Sequence, residues 1–92
     1  MPKIIIYSKD NCPYCVKAKM LLERKIKSLA KPLEISFTEI KVTNDELRAE
    51  VVKKSGGRMT VPQIFIDDFH VGGCDDLYEL ESKNELDKLL KN

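Results

Sequence analysis

The chain opens with an apolar run, from Lys3 to Ser8, whose three isoleucines are β-branched and whose ends are polar. This pattern predicts a strand buried on both faces, as in a parallel sheet. A turn signal follows, and Pro13 suits the first position of a helix, where its missing N–H costs nothing. The apolar spacing beyond it predicts a helix from about Pro13 to Ser28.

A second strand and a second helix follow in the same order. The segment from Ser36 to Val42 is rich in β-branched and aromatic residues and predicts a strand. Thr43 and Glu46 have capping-box spacing, with Thr43 as the N-cap of a helix and Glu46 reaching back to it. The glycine pair at positions 56 and 57 ends this helix.

The pattern of the last third of the chain predicts a β-hairpin followed by helical segments. Residues 62–66 and 69–71 read as strands joined by a tight acidic turn at 67–68, which makes the pair antiparallel. Two glycines at 72–73 end the second strand, and the aspartates at 75–76 suit the first turn of a helix. Ser82 and Glu85 again have capping-box spacing, ahead of a last helix with leucines at 86, 89 and 90.

The predicted order is β-α-β-α-β-β-α. Two strands joined through a helix are parallel and need a right-handed crossover. The hairpin adds antiparallel strands, so the expected fold class is α/β, with one mixed four-stranded sheet flanked by helices. At 92 residues the chain is expected to be a single domain, residues 1–92.

Charge and apolar content narrow the function classes. The formal net charge is +1, so the chain lacks the basic character that drives nucleic-acid or membrane binding. No stretch approaches the ~18 apolar residues of a membrane span, and the N-terminal apolar run is too short for a signal peptide. We expect a cytoplasmic protein. There thiols are kept reduced, so closely spaced cysteines favour catalysis or metal binding over a structural role.

Cys12-Pro13-Tyr14-Cys15 carries the strongest chemical signal, because a C-x-x-C motif here follows a strand and opens a helix. At a helix N-terminus, unpaired N–H groups and the macrodipole favour a negative charge. We therefore expect the pKa of Cys12 to fall below the free value of about 8.5, which makes it a nucleophilic thiolate. Cys15 lies one turn further in and would act as the resolving thiol. Lys9 could add positive potential.

Metal binding is the alternative for these cysteines. Cys12, Cys15, Cys74 and the only histidine, His70, would make a Cys₃His zinc set. The spacing from His70 to Cys74 is not a common partner for C-x-x-C, and Pro13 fits a helix start better than a zinc knuckle. The sequence therefore favours no metal, with His70 on an exposed strand edge.

Three ordered motifs closely resemble the dithiol glutaredoxins: Cys12-Pro13-Tyr14-Cys15, then Thr60-Val61-Pro62, then Gly72-Gly73-Cys74-Asp75-Asp76. The resemblance covers nearly the whole chain. It implies a thioredoxin-like fold, and glutathione as co-substrate with no tightly bound cofactor. It also implies a cis proline at Pro62, next to the active cysteines, which would leave the backbone of Val61 free to pair with an extended peptide. A trans proline at the start of a strand would equally fit the position.

The resemblance also implies a glutathione site. Lys9 and Tyr14 would flank the glycine end, Thr60, Val61 and Pro62 would form a backbone clamp, and Gly73, Cys74 and Asp75 would hold the γ-glutamyl end. The chemistry agrees, since a helix N-terminus offers N–H donors to a carboxylate and Asp75 can accept from an ammonium. Arg58 and Gln63 lie near the clamp as further candidates. Cys74 could instead be a buried filler or a reactive thiol.

Two alternatives stay open beside a glutathione-dependent enzyme. One keeps the fold but takes electrons from a thioredoxin-reductase-like flavoprotein. The other is a binding module that holds zinc or a [2Fe–2S] cluster shared by two protomers, although Pro13 resembles the redox subgroup. Expected partners are glutathione and disulfide-bearing or glutathionylated proteins, and the chain is expected to be a monomer. The segment from Lys27 to Ile35 looks longer than the usual connection.

Overall fold

The computed structural model describes residues 2–28 and 35–90. Four strands form one sheet: β1 (Lys3–Ser8), β2 (Ser36–Lys41), β3 (Gln63–Ile66) and β4 (Phe69–Gly72). Four helices accompany them: α1 (Pro13–Ser28), α2 (Asp45–Lys54), α3 (Cys74–Ser82) and α4 (Leu86–Leu90). The predicted order and fold class are confirmed, and the helical end of the chain comprises two helices. The long connection predicted between Lys27 and Ile35 falls largely on residues 29–34, which lie outside the described residues.

The sheet has the strand order β2-β1-β3-β4. β1 runs parallel to β2 and antiparallel to β3, and β3 pairs antiparallel with β4. The parallel crossover and the hairpin were both predicted from the sequence. Because β1 and β3 run in opposite directions, the carboxyl end of β1 lies beside the beginning of β3, with Tyr7 opposite Gln63.

Strand alternation divides the core between the two faces of the sheet. Ile4 and Ile6 of β1 face one cluster, with buried residues of α1, α3 and α4, whereas Tyr7 faces a second cluster with Val51 of α2 and Phe65 of β3. Apolar side chains on both faces of β1 confirm the prediction of a two-sided buried strand. No helix in the described part of the chain is long and apolar enough to cross a membrane.

Both predicted capping boxes are wrong. The N-cap of α2 is Asn44, with φ −147° and ψ 172°, and its side-chain oxygen accepts from the Leu47 N–H at 2.8 Å. Thr43 lies one residue too early, because the spacing rule cannot tell which polar residue takes the extended conformation of a cap. Ser82 belongs to the end of α3, where its hydroxyl donates to the Glu79 carbonyl at 2.8 Å.

The cap of α2 yields a stability prediction. Asn44→Ala should lower the free energy of unfolding by about 1 kcal/mol, because the Leu47 N–H loses its acceptor. Urea unfolding followed by circular dichroism measures this. Thr43→Ala is the matched control and should change stability by clearly less. An equal loss in both variants would contradict the assignment of the cap.

Candidate functional site

Cys12 is the N-cap of α1. Its carbonyl accepts the Val16 N–H at 3.1 Å, and its sulfur accepts the Cys15 N–H at 3.2 Å. In this structure Cys12 and Cys15 form a disulfide, with their Cα atoms 5.2 Å apart. A backbone donor aimed at the sulfur and the positive end of the helix dipole both favour negative charge there once the disulfide is reduced. The local structure therefore supplies the chemistry that the motif predicted.

The two cysteines differ in access to solvent. Cys12 is 7% exposed and Cys15 1% exposed. Both cysteines lie along a cleft that includes Lys9, Lys19 and Lys41. The lower exposure of Cys15 agrees with its expected place one turn further into the helix.

Seven of the predicted glutathione-site residues line one cleft, together with Arg58 and Asp76. They come from the start of α1, the segment before β3 and the start of α3: Tyr14, Thr60, Val61, Pro62, Gly73, Cys74 and Asp75. We call this cleft the groove. Tyr14, Thr60 and Asp75 are exposed along it. The Val61–Pro62 peptide bond is cis, as the resemblance implied.

Lys9 does not line the groove. It lies along two neighbouring clefts, one with Cys12 and Cys15 and the other with Thr60 and Val61. The eighth predicted residue is therefore placed between the cysteines and the clamp, outside the groove itself.

An ion pair at the end of the groove formed by α3 was not predicted from the sequence. The Arg58 guanidinium lies 3.0 Å from the Asp76 carboxylate, which also accepts the Gly73 N–H at 2.9 Å. The Gly73 N–H, and then Arg58, hold the pKa of Asp76 below its usual range. Asp76 thus caps α3, and within the described part of the chain the first-turn N–H groups of Cys74 and Asp75 have no acceptor.

The glycine that this corner requires is Gly72. Its φ is +112°, and a Cβ there would overlap the Asp76 carboxylate and crowd Arg58. A Cβ on Gly73 would make ordinary van der Waals contacts with Arg58 and the Pro62 carbonyl. The steric requirement for glycine at this corner therefore lies at position 72, while position 73 has room for a Cβ.

Cys74 fits the description of a buried filler. It is 6% exposed at the first position of α3, and it belongs to the apolar cluster beneath α1 and α3. Burial raises the pKa of its thiol, so helix-start position does not make it a thiolate. Its neighbour Asp75 is an exposed polar residue at this end of the groove.

His70 lies on β4, an edge strand of the sheet, as expected, but its side chain is not exposed. Its ring is half-buried, stacks on Phe65 with centroids 4.9 Å apart and lies 2.7 Å from Gln63 Oε1. Among the described residues, no three His, Cys, Asp or Glu side chains are grouped so as to hold a metal ion. The structure therefore does not bring together the zinc set of Cys12, Cys15, Cys74 and His70.

Comparison with known proteins gives one consistent result. The family model described as Glutaredoxin matches residues 4–71. Glutaredoxin 1 of Rickettsia prowazekii is 52% identical over 91 residues, which cover 97% of this chain and 87% of the relative. The solution structure of glutaredoxin from Brucella melitensis is 51% identical, with a TM-score of 0.76 over 97% of this chain and 88% of that one. A buckwheat glutaredoxin–glutathione complex is 26% identical, with a TM-score of 0.77 over 95% and 74%.

The carboxylate of Asp76 yields a pH prediction. Because its pKa is depressed in the folded protein, its contribution to stability is present above the unfolded value of about 3.9 and is lost as pH falls through the folded value. Asp76→Asn should therefore be less stable than the wild type at pH 7, and the difference should shrink in acid. Urea unfolding at pH 7 and pH 3 measures this.

Asp75→Asn is the matched control. In the described part of the chain, the hydrogen bonds from Gly73 and Arg58 go to the Asp76 carboxylate and not to that of Asp75. It should show little difference from the wild type at either pH. A stability deficit in Asp76→Asn that is the same at both pH values would refute the role given to the carboxylate.

Proposed function

The chain belongs to the glutaredoxin family and is a thiol–disulfide oxidoreductase, and we propose that glutathione is its reductant and the groove its glutathione site. The observation that carries the proposal is the meeting of three elements beside the Cys12–Cys15 pair: Tyr14, the Thr60–Pro62 segment and the start of α3. The relative from buckwheat, whose structure is a complex with glutathione, supports the choice of ligand.

The groove matches the chemistry of glutathione, a short extended peptide with a carboxylate and an ammonium at its γ-glutamyl end. The first-turn N–H groups of Cys74 and Asp75 suit that carboxylate, and the Asp75 side chain suits the ammonium. The backbone of Val61 would pair with the middle of the peptide, as a neighbouring strand would. Lys9 and Tyr14 would lie toward the glycine carboxylate.

Removal of glutathione from a protein needs only Cys12. Its thiolate attacks the glutathione sulfur of a protein–glutathione disulfide, and the protein thiolate leaves. A second glutathione thiolate then attacks the glutathione sulfur of the Cys12 adduct. Oxidised glutathione forms and Cys12 leaves as a thiolate, stabilised by the Cys15 N–H and the helix N-terminus.

Reduction of a protein disulfide uses both cysteines. Cys12 attacks one sulfur of the substrate and releases the other as a thiolate, which takes up a proton. Cys15 then attacks the sulfur of Cys12 in the mixed disulfide, so that the reduced substrate leaves and the Cys12–Cys15 disulfide remains. Two glutathione molecules reduce that disulfide and leave as oxidised glutathione. The disulfide in this structure joins the same two cysteines as that oxidised product.

Five further parts complete the proposal. The protein acts as a monomer, residues 1–92 form one domain, and the reaction takes place in the cytoplasm, where the thiol pool supplies reduced glutathione. Disulfide-bearing and glutathionylated proteins are the substrates. No tightly bound cofactor takes part, because thiol exchange at Cys12 accounts for every electron transferred.

The two cysteines should separate the two reactions. Cys12→Ser should reduce both activities to the background rate, because the attacking thiolate is gone. Cys15→Ser should keep most of the activity toward a glutathionylated peptide while losing reduction of a protein disulfide. Coupled assays with glutathione, glutathione reductase and NADPH measure both reactions. Undiminished turnover by Cys12→Ser would end the assignment of the nucleophile.

The glutathione site can be tested separately. Asp75→Ala should raise the KM for glutathione on the order of tenfold, because a charge-assisted hydrogen bond to the ammonium is lost. Asp68→Ala, in the exposed hairpin turn, is the control and should leave the KM unchanged. Turnover that depends on thioredoxin reductase, and not on glutathione, would preserve the oxidoreductase and overturn the choice of reductant.

A further inference from the structure

Gln63 is a polar side chain without any exposure to solvent, at the first position of β3 and directly after Pro62. Its amide nitrogen donates to the Thr60 carbonyl at 3.0 Å and lies 3.4 Å from the Thr60 hydroxyl. Its amide oxygen is 2.7 Å from His70 Nε2. A buried amide is costly unless both of its ends are bonded, and here both are.

The bond from Gln63 determines which way the Thr60–Val61 peptide faces. In a planar trans peptide the C=O and the following N–H point in opposite directions. The Thr60 carbonyl points inward to Gln63, so the Val61 N–H points away from it, toward the solvent side. Among the described residues, this N–H has no hydrogen-bond acceptor within the protein. Val61 lines the groove, where the N–H is available to a ligand.

His70 fixes the orientation of the Gln63 amide. Because the amide nitrogen is directed at Thr60, the oxygen must accept from His70, which therefore carries its proton on Nε2. The His70 ring is held in turn by its stack on Phe65, the residue directly opposite it on β3. If the amide were reversed, its oxygen would lie against the Thr60 carbonyl oxygen and neither atom could donate. Only the observed orientation therefore gives Thr60, Gln63 and His70 a hydrogen bond.

We propose that Gln63, held by His70, is a positioning residue for the reductant: it turns the Thr60–Val61 peptide so that the Val61 N–H faces the groove and pairs with the peptide backbone of glutathione. This inference rests on the proposed function. It assigns a role to two residues that do not themselves line the groove. It also explains why a polar side chain is fully buried at a position whose strand neighbours, Ile64 and Phe65, are apolar.

The test is Gln63→Met, which has a similar length and suits a buried site but cannot donate to Thr60. The KM for glutathione should rise roughly five- to tenfold, the effect of losing one well-placed hydrogen bond. Reduction of the oxidised enzyme by dithiothreitol, which has no peptide backbone, should keep its wild-type rate. An equal loss with both reductants would indicate general disruption of the site and overturn the proposal, and so would an unchanged KM.

A second variant keeps the test decisive if Gln63→Met folds poorly. His70→Phe retains an aromatic ring against Phe65 but cannot donate to Gln63, so the amide is freed to reorient and the KM for glutathione should rise as well. Phe69→Thr, at an exposed position on the same strand, is the matched control and should leave the KM unchanged. A His70→Phe enzyme with the wild-type KM would contradict the proposal.

Amide hydrogen exchange provides a direct readout at the atom concerned. In the wild type, glutathione should slow exchange of the Val61 N–H, and in Gln63→Met this protection should be lost. Measurements on the wild-type enzyme separate failure of the proposed function from failure of the positioning role. If the wild-type enzyme does not use glutathione, the proposed function fails; if it does and Val61 is never protected, only the positioning role fails.

Discussion

The direction of β1 within the sheet is the constraint on which the site depends. β1 runs parallel to β2 but antiparallel to β3, so its carboxyl end and the beginning of β3 meet at one edge, with Tyr7 opposite Gln63. The hairpin returns the end of β4 to the same edge, since Gly72 pairs with Ile64. The loop that carries Cys12, the clamp before β3 and the start of α3 are therefore brought together by strand pairing alone. Burial on both faces keeps β1 in that central place.

Buried polar groups hold this edge in position. The hydroxyl of Ser8, fully buried at the end of β1, donates to Glu39 of β2 at 2.5 Å, and Lys19 of α1 lies 2.9 Å from the same carboxylate. The Ser8 hydrogen bond, and then Lys19, keep the pKa of Glu39 below its usual range. This set ties β1, β2 and α1 together directly beneath the loop of Cys12. On the other side of β1, hydrogen bonds from His70 to Gln63 and from Gln63 to Thr60 hold the Thr60–Pro62 clamp. The cysteines and the groove are therefore both supported by polar groups whose hydrogen bonds are satisfied.

Most features that depend on residues close together in the sequence were predicted correctly, whereas several that depend on contacts between distant residues were not. The helix at Pro13, the hairpin at 67–68 and the parallel crossover depend on local pattern and on general rules of chain connection, and all three were predicted. Helix caps depend on which residue takes an extended conformation, and there the spacing rule selected Thr43 in place of Asn44. The exposure of His70 was wrongly predicted because the residues that cover its ring, Gln63 and Phe65, lie on the neighbouring strand.

The sequence by itself determined the reactive pair and the fold class. Cys12 and Cys15 are three residues apart at a predicted helix start, so their placement needs no distant contact, and the apolar, β-branched character of the strands follows from their own residues. Only the tertiary structure decided how the groove is arranged. The pairing of Arg58 with Asp76, the direction of the Thr60–Val61 peptide and the place of Lys9 outside the groove each depend on elements that approach through sheet pairing and helix packing. Such contacts depend on the geometry of separate elements in space, which no local pattern of residues specifies.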